Sequence, residues 1–338
     1  MGAFATEGIK DNLYGGIKMK RPYRIIILGN VQNYYSHFLY GTLEGAIRCG
    51  CWAKTVQLVD RTLKDIRDEI DFIKPDFLIG HMFFGPLRMD VLQLFAEIRK
   101  RYGTKVIYHM GDARDIPRYP KPIDQWVDLG LVNHGDYQKF SNMWRIPCIH
   151  WPYFSFYQKD IADYDPKYDS NMAFTGDLDS STHHGPRGQF IQQIKSLIKI
   201  KVYPTPQTGN TRFQTAELSS SAKSVLGMQM GVNIPLYQDV RIFQYCGAGA
   251  LYFHDQCEST DIFFKPGIHY VPYIRNNPKH LSEQYQKYVI KNPLEGDKIR
   301  RQGFEFCQKY HSTKERFQSI LNYFEGGECL PIYLKDIL

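Results

Sequence analysis

The sequence predicts an α/β protein with two Rossmann-like, doubly wound domains facing across a cleft, and three observations predict it. Short apolar runs alternate with stretches of helical periodicity from residue 24 onward; the alternation breaks in an aromatic and polar segment over 149–170; beyond that break it restarts. With 338 residues, 43% of them hydrophobic, the chain is long enough for two separate cores.

Residues 24–29, Arg-Ile-Ile-Ile-Leu-Gly, form an apolar run closed by glycine, as a buried parallel strand would. Over 36–49, Phe38, Leu39, Leu43, Ala46 and Ile47 recur at helical spacing before Gly50, and strand character returns at 55–59, completing a βαβ unit. Helices over 63–73 and 91–101 then alternate with strands at 77–80, 105–109 and 126–133, with Pro75 closing the first of these helices. After the break come a strand at 171–175, a helix at 190–198, strands at 199–203 and 224–227, a helix at 236–246 and a strand at 250–254. Helices over 281–291, 298–311 and 313–324 follow. The implied organisation is a flexible lead (1–23), an N-terminal domain (24–165), a C-terminal domain (166–324) and a last segment (325–338) that crosses back to the N-terminal domain. Ligands of such folds bind at the carboxyl ends of the strands.

Composition narrows the chemistry by exclusion. No run approaches the length of a membrane span, and the first residues lack a basic region followed by an apolar stretch, so a cytoplasmic protein is expected. The seven cysteines are scattered and form no Cys-x-x-Cys pair, which indicates neither zinc nor a disulfide framework. The sequence contains no phosphate-binding Gly-x-x-x-x-Gly-Lys-Ser/Thr loop, Gly-x-Ser-x-Gly elbow, His-Glu-x-x-His or complete Gly-x-Gly-x-x-Gly. A formal charge of +7 suits an anionic ligand, nucleic acid or acidic membrane face without choosing among them. His183 and His184 are adjacent but have no matching carboxylate set, so no metal is expected.

The informative stretch is 238–253, Gln-Asp-Val-Arg-Ile-Phe-Gln-Tyr-Cys-Gly-Ala-Gly-Ala-Leu-Tyr-Phe. It resembles the donor-site motif of GT-B glycosyltransferases, in particular the CgeB-like branch, in which Arg, a hydrophobe, Phe and Glu open a helix that ends in Gly before a strand. Arg241, Phe243 and Gly249 fit; the Glu position is Gln244, and Leu236 stands where the wider family has a second Glu. Asn171 to Asp177, with Pro186-Arg187 beyond, is similar to the first strand and phosphate-facing loop of that family's C-terminal domain. The stretch 221–226 is similar to its segment before the donor helix. The similarity covers about residues 171–324.

The resemblance implies a metal-independent hexosyl- or pentosyltransferase with no cofactor, whose donor is a nucleotide sugar, a UDP-sugar being the first expectation. Gly176, Arg187, Lys223, Arg241 and Gln244 would hold the donor. Gln keeps one acceptor for the ribose hydroxyls and loses the charge of Glu. The acceptor is a hydroxyl on a glycan, another small molecule or a nucleic acid. A base to activate it belongs at the strand ends of the N-terminal half, where Asp112 is the first choice and His37 and His134 are alternatives; His81 also follows a strand. The rival readings are a DNA-modifying glycosyltransferase and a noncatalytic nucleotide-sugar or glycan-binding protein of the same fold.

Overall fold

The computed structural model describes residues 21–29, 36–58, 61–81, 89–110, 122–155, 162–176, 178, 185–203, 211–229 and 234–327. The first sheet is built from β1 (Arg24–Gly29), β2 (Trp52–Gln57), β3 (Phe77–His81), β4 (Lys105–Met110), β5 (Leu129–Val132) and β6 (Cys148–His150), all parallel, in the order β2-β1-β3-β4-β5-β6. The apolar run of β1 is buried as its composition predicts: Ile25, Ile26, Ile27 and Leu28 are fully enclosed. Helices α1 (Ser36–Arg48), α2 (Leu63–Ile73), α3 (Met89–Tyr102) and α4 (Tyr137–Trp144) connect the strands. In α2 a capping box between Thr62 and Asp65 starts the helix, and Lys74 in the left-handed conformation ends it before Pro75.

The second sheet contains β7 (Met172–Thr175), β8 (Ile200–Tyr203), β9 (Val225–Gly227), β10 (Tyr252–Asp255) and β11 (Val271–Tyr273), again all parallel, in the order β11-β10-β9-β7-β8. Its connections are α5 (Gly185–Lys195), α6 (Thr211–Ser221), α7 (Val240–Gly247) and α8 (Glu258–Phe263); α9 (Pro278–Tyr285), a π-helical turn over Gln286–Lys291, α10 (Pro293–Tyr310) and α11 (Thr313–Phe324) follow. In both sheets the first strand lies between the second and the third, so the chain reverses its direction of winding at the β1/β3 crevice and at the β7/β9 crevice. Ligands of doubly wound sheets bind at such crevices, outside the carboxyl ends of the strands.

The structure differs from the sequence reading in several places. Helices α4, α6 and α8 and strand β6 were not anticipated, and the helix read as 236–246 starts only at Val240. Leu236 has φ 53°, a left-handed conformation incompatible with a helix interior, and Asp239 supplies the cap. Helix α11, read as part of the C-terminal domain, packs on α1 of the first domain. Gly45 makes that approach possible, because a Cβ there would lie 2.4 Å from the Thr313 carbonyl oxygen. Buried Arg316 fixes the junction: its Nε donates to the carbonyls of Pro152 and Tyr153, each at 3.0 Å, and its Nη1 to that of Tyr310 at 3.1 Å. The return to the first domain thus occurs before the segment 325–338 to which the sequence reading assigned it, and residues 328–338 lie outside the described residues.

Candidate active site

The carboxyl edge of the second sheet gathers most of the predicted donor residues. Strand β7 ends at Thr175 and Gly176, and Gly176 has φ 150°, a conformation that disfavours any side chain. A Cβ on Gly176 would stand 3.2 Å from an Nη atom of Arg187 and 3.1 Å from the Phe174 ring. Arg187 comes from the first turn of α5 and folds back over Phe174, its guanidinium 5.8 Å from the ring centroid. Although charged, it is only 4% exposed.

Across the crevice, α7 begins with Asp239, whose carboxylate accepts from the Arg241 backbone N–H at 2.8 Å and from the Arg241 guanidinium at 2.9 Å. Burial alone would raise the Asp239 pKa, but Arg241, with a further contribution from Arg187, outweighs it and holds the carboxyl below its usual range. Arg187 and Arg241 therefore act on one carboxylate from the amino ends of two different helices. Gln244, one turn into α7, is buried. The Thr175 hydroxyl meets the Tyr245 hydroxyl at 2.7 Å, which ties the end of β7 to α7.

A second layer holds the entry to α7. Fully buried Gln229, just past β9, donates through its side chain to the Tyr237 carbonyl at 2.8 Å and accepts from the Asp239 N–H at 3.0 Å. Its own N–H donates to Asp255 at 2.7 Å, and Arg275 reaches both Asp255, at 2.9 Å, and the Gln229 carbonyl, at 2.8 Å. Three guanidiniums thus face two carboxylates, leaving a net positive charge beside the amino ends of α5 and α7. That environment favours an anion. The sequence reading missed Asp239, Gln229, Asp255 and Arg275. Asp239 carries a local signal, an N-cap residue before an amphipathic run; the other three meet across 20 to 46 positions of chain and leave no local pattern.

Lys223 does not join this cluster. Its N–H bonds to the Ser170 carbonyl and it precedes β9, which puts it at the amino edge of the sheet, exposed and at the far ends of the strands. In the first domain, Asp112 and the side chains of His37 and His81 lie outside the described residues, as do His183 and His184. His134 follows β5 and is buried, and its Nδ1 accepts the Asp136 N–H at 2.9 Å. Burial lowers its pKa, so the ring is neutral and its proton sits on Nε2. Such a ring can donate a hydrogen bond from Nε2 but has no lone pair left there to accept a proton. The loop before α7 meets this same strand edge. Gly135 N–H donates to the Pro235 carbonyl at 2.6 Å and the Asn133 amide to the Gln238 carbonyl at 3.2 Å, while His150 Nε2 lies 3.3 Å from the Leu236 carbonyl.

Residues 187–322 match the family model described as glycosyl transferase-like, a span that begins at Arg187 and includes Asp239, Arg241 and Gln244. No curated protein sequence matches the chain. Among solved structures, HepE from Anabaena in complex with UDP and glucose is similar at TM-score 0.55 and 9% identity, over 90% of this chain and all of that one. Sucrose-phosphate synthase from Thermosynechococcus elongatus is similar at TM-score 0.56 and 7% identity, over 90% and 98% of the two chains. The DNA modifying enzyme β-glucosyltransferase is similar at TM-score 0.57 and 11% identity, over 89% and 98%. The chain has the GT-B fold, with two Rossmann-like domains, and carries a glycosyl transferase-like region in its second half. Among the described residues, no helix is long and apolar enough to cross a membrane.

Proposed function

We propose that the protein transfers a sugar from a nucleotide diphosphate donor to a hydroxyl acceptor. The observation that carries this reading is the pairing of Arg241 with Asp239 at the β7/β9 crevice, with the Arg187 guanidinium beside Gly176 across it, at the head of the region that matches the glycosyl transferase-like model. Departure of a nucleoside diphosphate develops negative charge, and the two guanidiniums and the amino ends of α5 and α7 would stabilise it. Gly176 would let the donor approach the backbone at the end of β7, and Gln244 would accept a hydrogen bond from a ribose hydroxyl. The nucleotide is a UDP-sugar in this reading, which the UDP complex of the Anabaena structure supports by analogy of fold.

Deprotonation of the acceptor is assigned to Asp112, and His134 to hydrogen-bond donation from Nε2 toward the acceptor. Turnover assays with UDP-, GDP-, ADP- and CMP-sugars test the activity: donor binding without hydrolysis or transfer would identify a noncatalytic binding protein instead. A DNA acceptor is the second reading, favoured by the fold shared with the DNA modifying β-glucosyltransferase. Transfer of label from a UDP-sugar to duplex DNA checks it, and transfer only to glycans or small alcohols rules it out.

A further inference from the structure

The positive charge of this chain is not spread evenly. Within 195–201 and 279–301, nine Lys and Arg residues face three Asp and Glu residues, nearly the whole +7 excess of the protein. The two stretches meet where α9 packs on α5. There Leu197, from the turn after α5, shares a groove with Lys279, Glu283, Lys287 and Lys291 of α9 and the π-helical turn.

The spacing of those residues is that of one helix face. Positions 279, 283, 287 and 291 recur every fourth residue, and the stripe leads into Ile290 and Leu294 at the corner where α10 begins. Acidic residues neutralise the neighbouring helix α10, where Glu295 pairs with Lys298 and Asp297 with Arg300. Lys195, Lys199, Lys279, Lys287 and Lys291, by contrast, form no ion pair with the described residues. Beside these lysines the chain exposes aliphatic side chains: Leu197 at 46%, Ile290 at 53% and Leu294 at 83%. The residues from Ile290 to Glu295 are exposed without interruption, so this corner stands clear of the body of the protein.

We propose that this face docks the protein on an anionic lipid bilayer, the lysines lying among the headgroups and Leu197, Ile290 and Leu294 entering the boundary of the acyl region. Basic residues beside aliphatic ones on a surface helix bind membranes in this way, by electrostatic attraction together with burial of apolar area. A nucleic acid would use the lysines but would leave exposed aliphatics at the centre of its footprint, where phosphate contacts need cations and polar donors. The exposed aliphatics thus favour lipid.

Co-sedimentation of the full-length protein with vesicles tests the proposal, using phosphatidylcholine with and without phosphatidylserine at about one third of the lipid. Binding is expected only to the anionic vesicles, falling as salt rises. The triple variant Lys279→Gln, Lys287→Gln, Lys291→Gln should weaken it on the order of a hundredfold, each lysine contributing about fivefold. Ile290→Ser with Leu294→Ser should weaken it further in the salt-resistant part. All these side chains are exposed, so unchanged melting temperatures will show that the variants fold. As a second readout, Leu294→Trp in the otherwise unaltered chain should shift its emission to the blue on anionic vesicles. Binding to neutral vesicles as strong as to anionic ones, no binding to either, or a Trp emission that does not move would overturn the proposal. So would binding to duplex DNA that needs the lysines and ignores Ile290 and Leu294. The donor site is absent from this face, so nucleotide binding by the triple variant is expected to match wild type, and the two readings fail separately.

Discussion

The two sheets share a strand order, yet the described parts of their carboxyl edges differ in electrostatics, one charged and the other neutral. In the second sheet the edge holds fixed charge: around Gln229, Arg241 pairs with Asp239 and Arg275 with Asp255, and Arg187 adds its charge to the field at Asp239. The described part of the first sheet's edge presents the uncharged amide Asn133 and the imidazoles of His134 and His150, which burial keeps neutral, and all three hydrogen-bond backbone rather than charge. Among the described residues, the same winding thus yields one edge suited to an anion and one lined by neutral polar groups. In the proposed reaction, stabilisation of the leaving diphosphate is assigned to the charged groups of the second half, and substitutions at the two described edges should have effects of different kinds.

Arg187→Ala offers the largest break. Removing a buried cation from the crevice should lower kcat/KM on the order of a hundredfold or more, by analogy with loss of one preorganised electrostatic donor; steady-state kinetics with the best donor checks it. Arg241→Ala should cost about tenfold in the same assay, because its guanidinium is partly occupied by Asp239. Asp239→Ala should in addition cost about 1 kcal/mol of stability through loss of the α7 cap, measurable by urea unfolding.

The first edge should answer to pH. Burial lowers the His150 pKa to about 3, so this imidazole stays neutral in the folded protein while the unfolded chain takes up a proton near pH 6.5. Stability is unaffected by this group above pH 6.5 and is lost progressively as pH falls toward 3, the loss amounting to about 2 kcal/mol by pH 5. Unfolding free energies at pH 7 and pH 5 should therefore converge in His150→Gln relative to wild type. His134, His269 and His311, all lowered by burial, keep a residual slope of the same sign. An unchanged slope in His150→Gln would mean that the ring is already solvated.

Lys223→Ala should have the smallest effect, within about twofold in kcat/KM. It sharpens the contrast between the two edges of the second sheet itself. The same residue also marks where the sequence was legible and where it was not. Gly176, Arg187, Arg241 and Gln244 were found through the resemblance of their stretches to the GT-B donor-site segments, and each lies just after a strand or in the first turns of a helix, positions that a parallel sheet turns toward its ligand edge. Lys223 sits in a stretch similar to the family's but comes before its strand, and in a parallel sheet a residue that precedes a strand belongs to the opposite edge. The two-sheet plan was readable from apolar runs such as 24–29, whereas the order of the strands within each sheet was not. Helix α6, Thr211–Ser221, was not, because its serine-rich last turn carries little helical periodicity, and α8 spans only six residues. The Gln229–Asp255–Arg275 layer is a product of tertiary folding, since its members come together only when β9, β10 and β11 align.

The central claim is that a nucleotide diphosphate sugar binds at the β7/β9 crevice between α5 and α7. A thermal-shift titration with UDP-, GDP-, ADP- and CMP-sugars on wild type, Arg187→Ala, Arg241→Ala and Lys223→Ala tests it most directly. The account predicts that a UDP-sugar raises the melting temperature of wild type and Lys223→Ala and that the shift is lost or sharply reduced in both arginine variants. No shift of wild type with any nucleotide sugar, or a shift that survives in Arg187→Ala and disappears in Lys223→Ala, would contradict it.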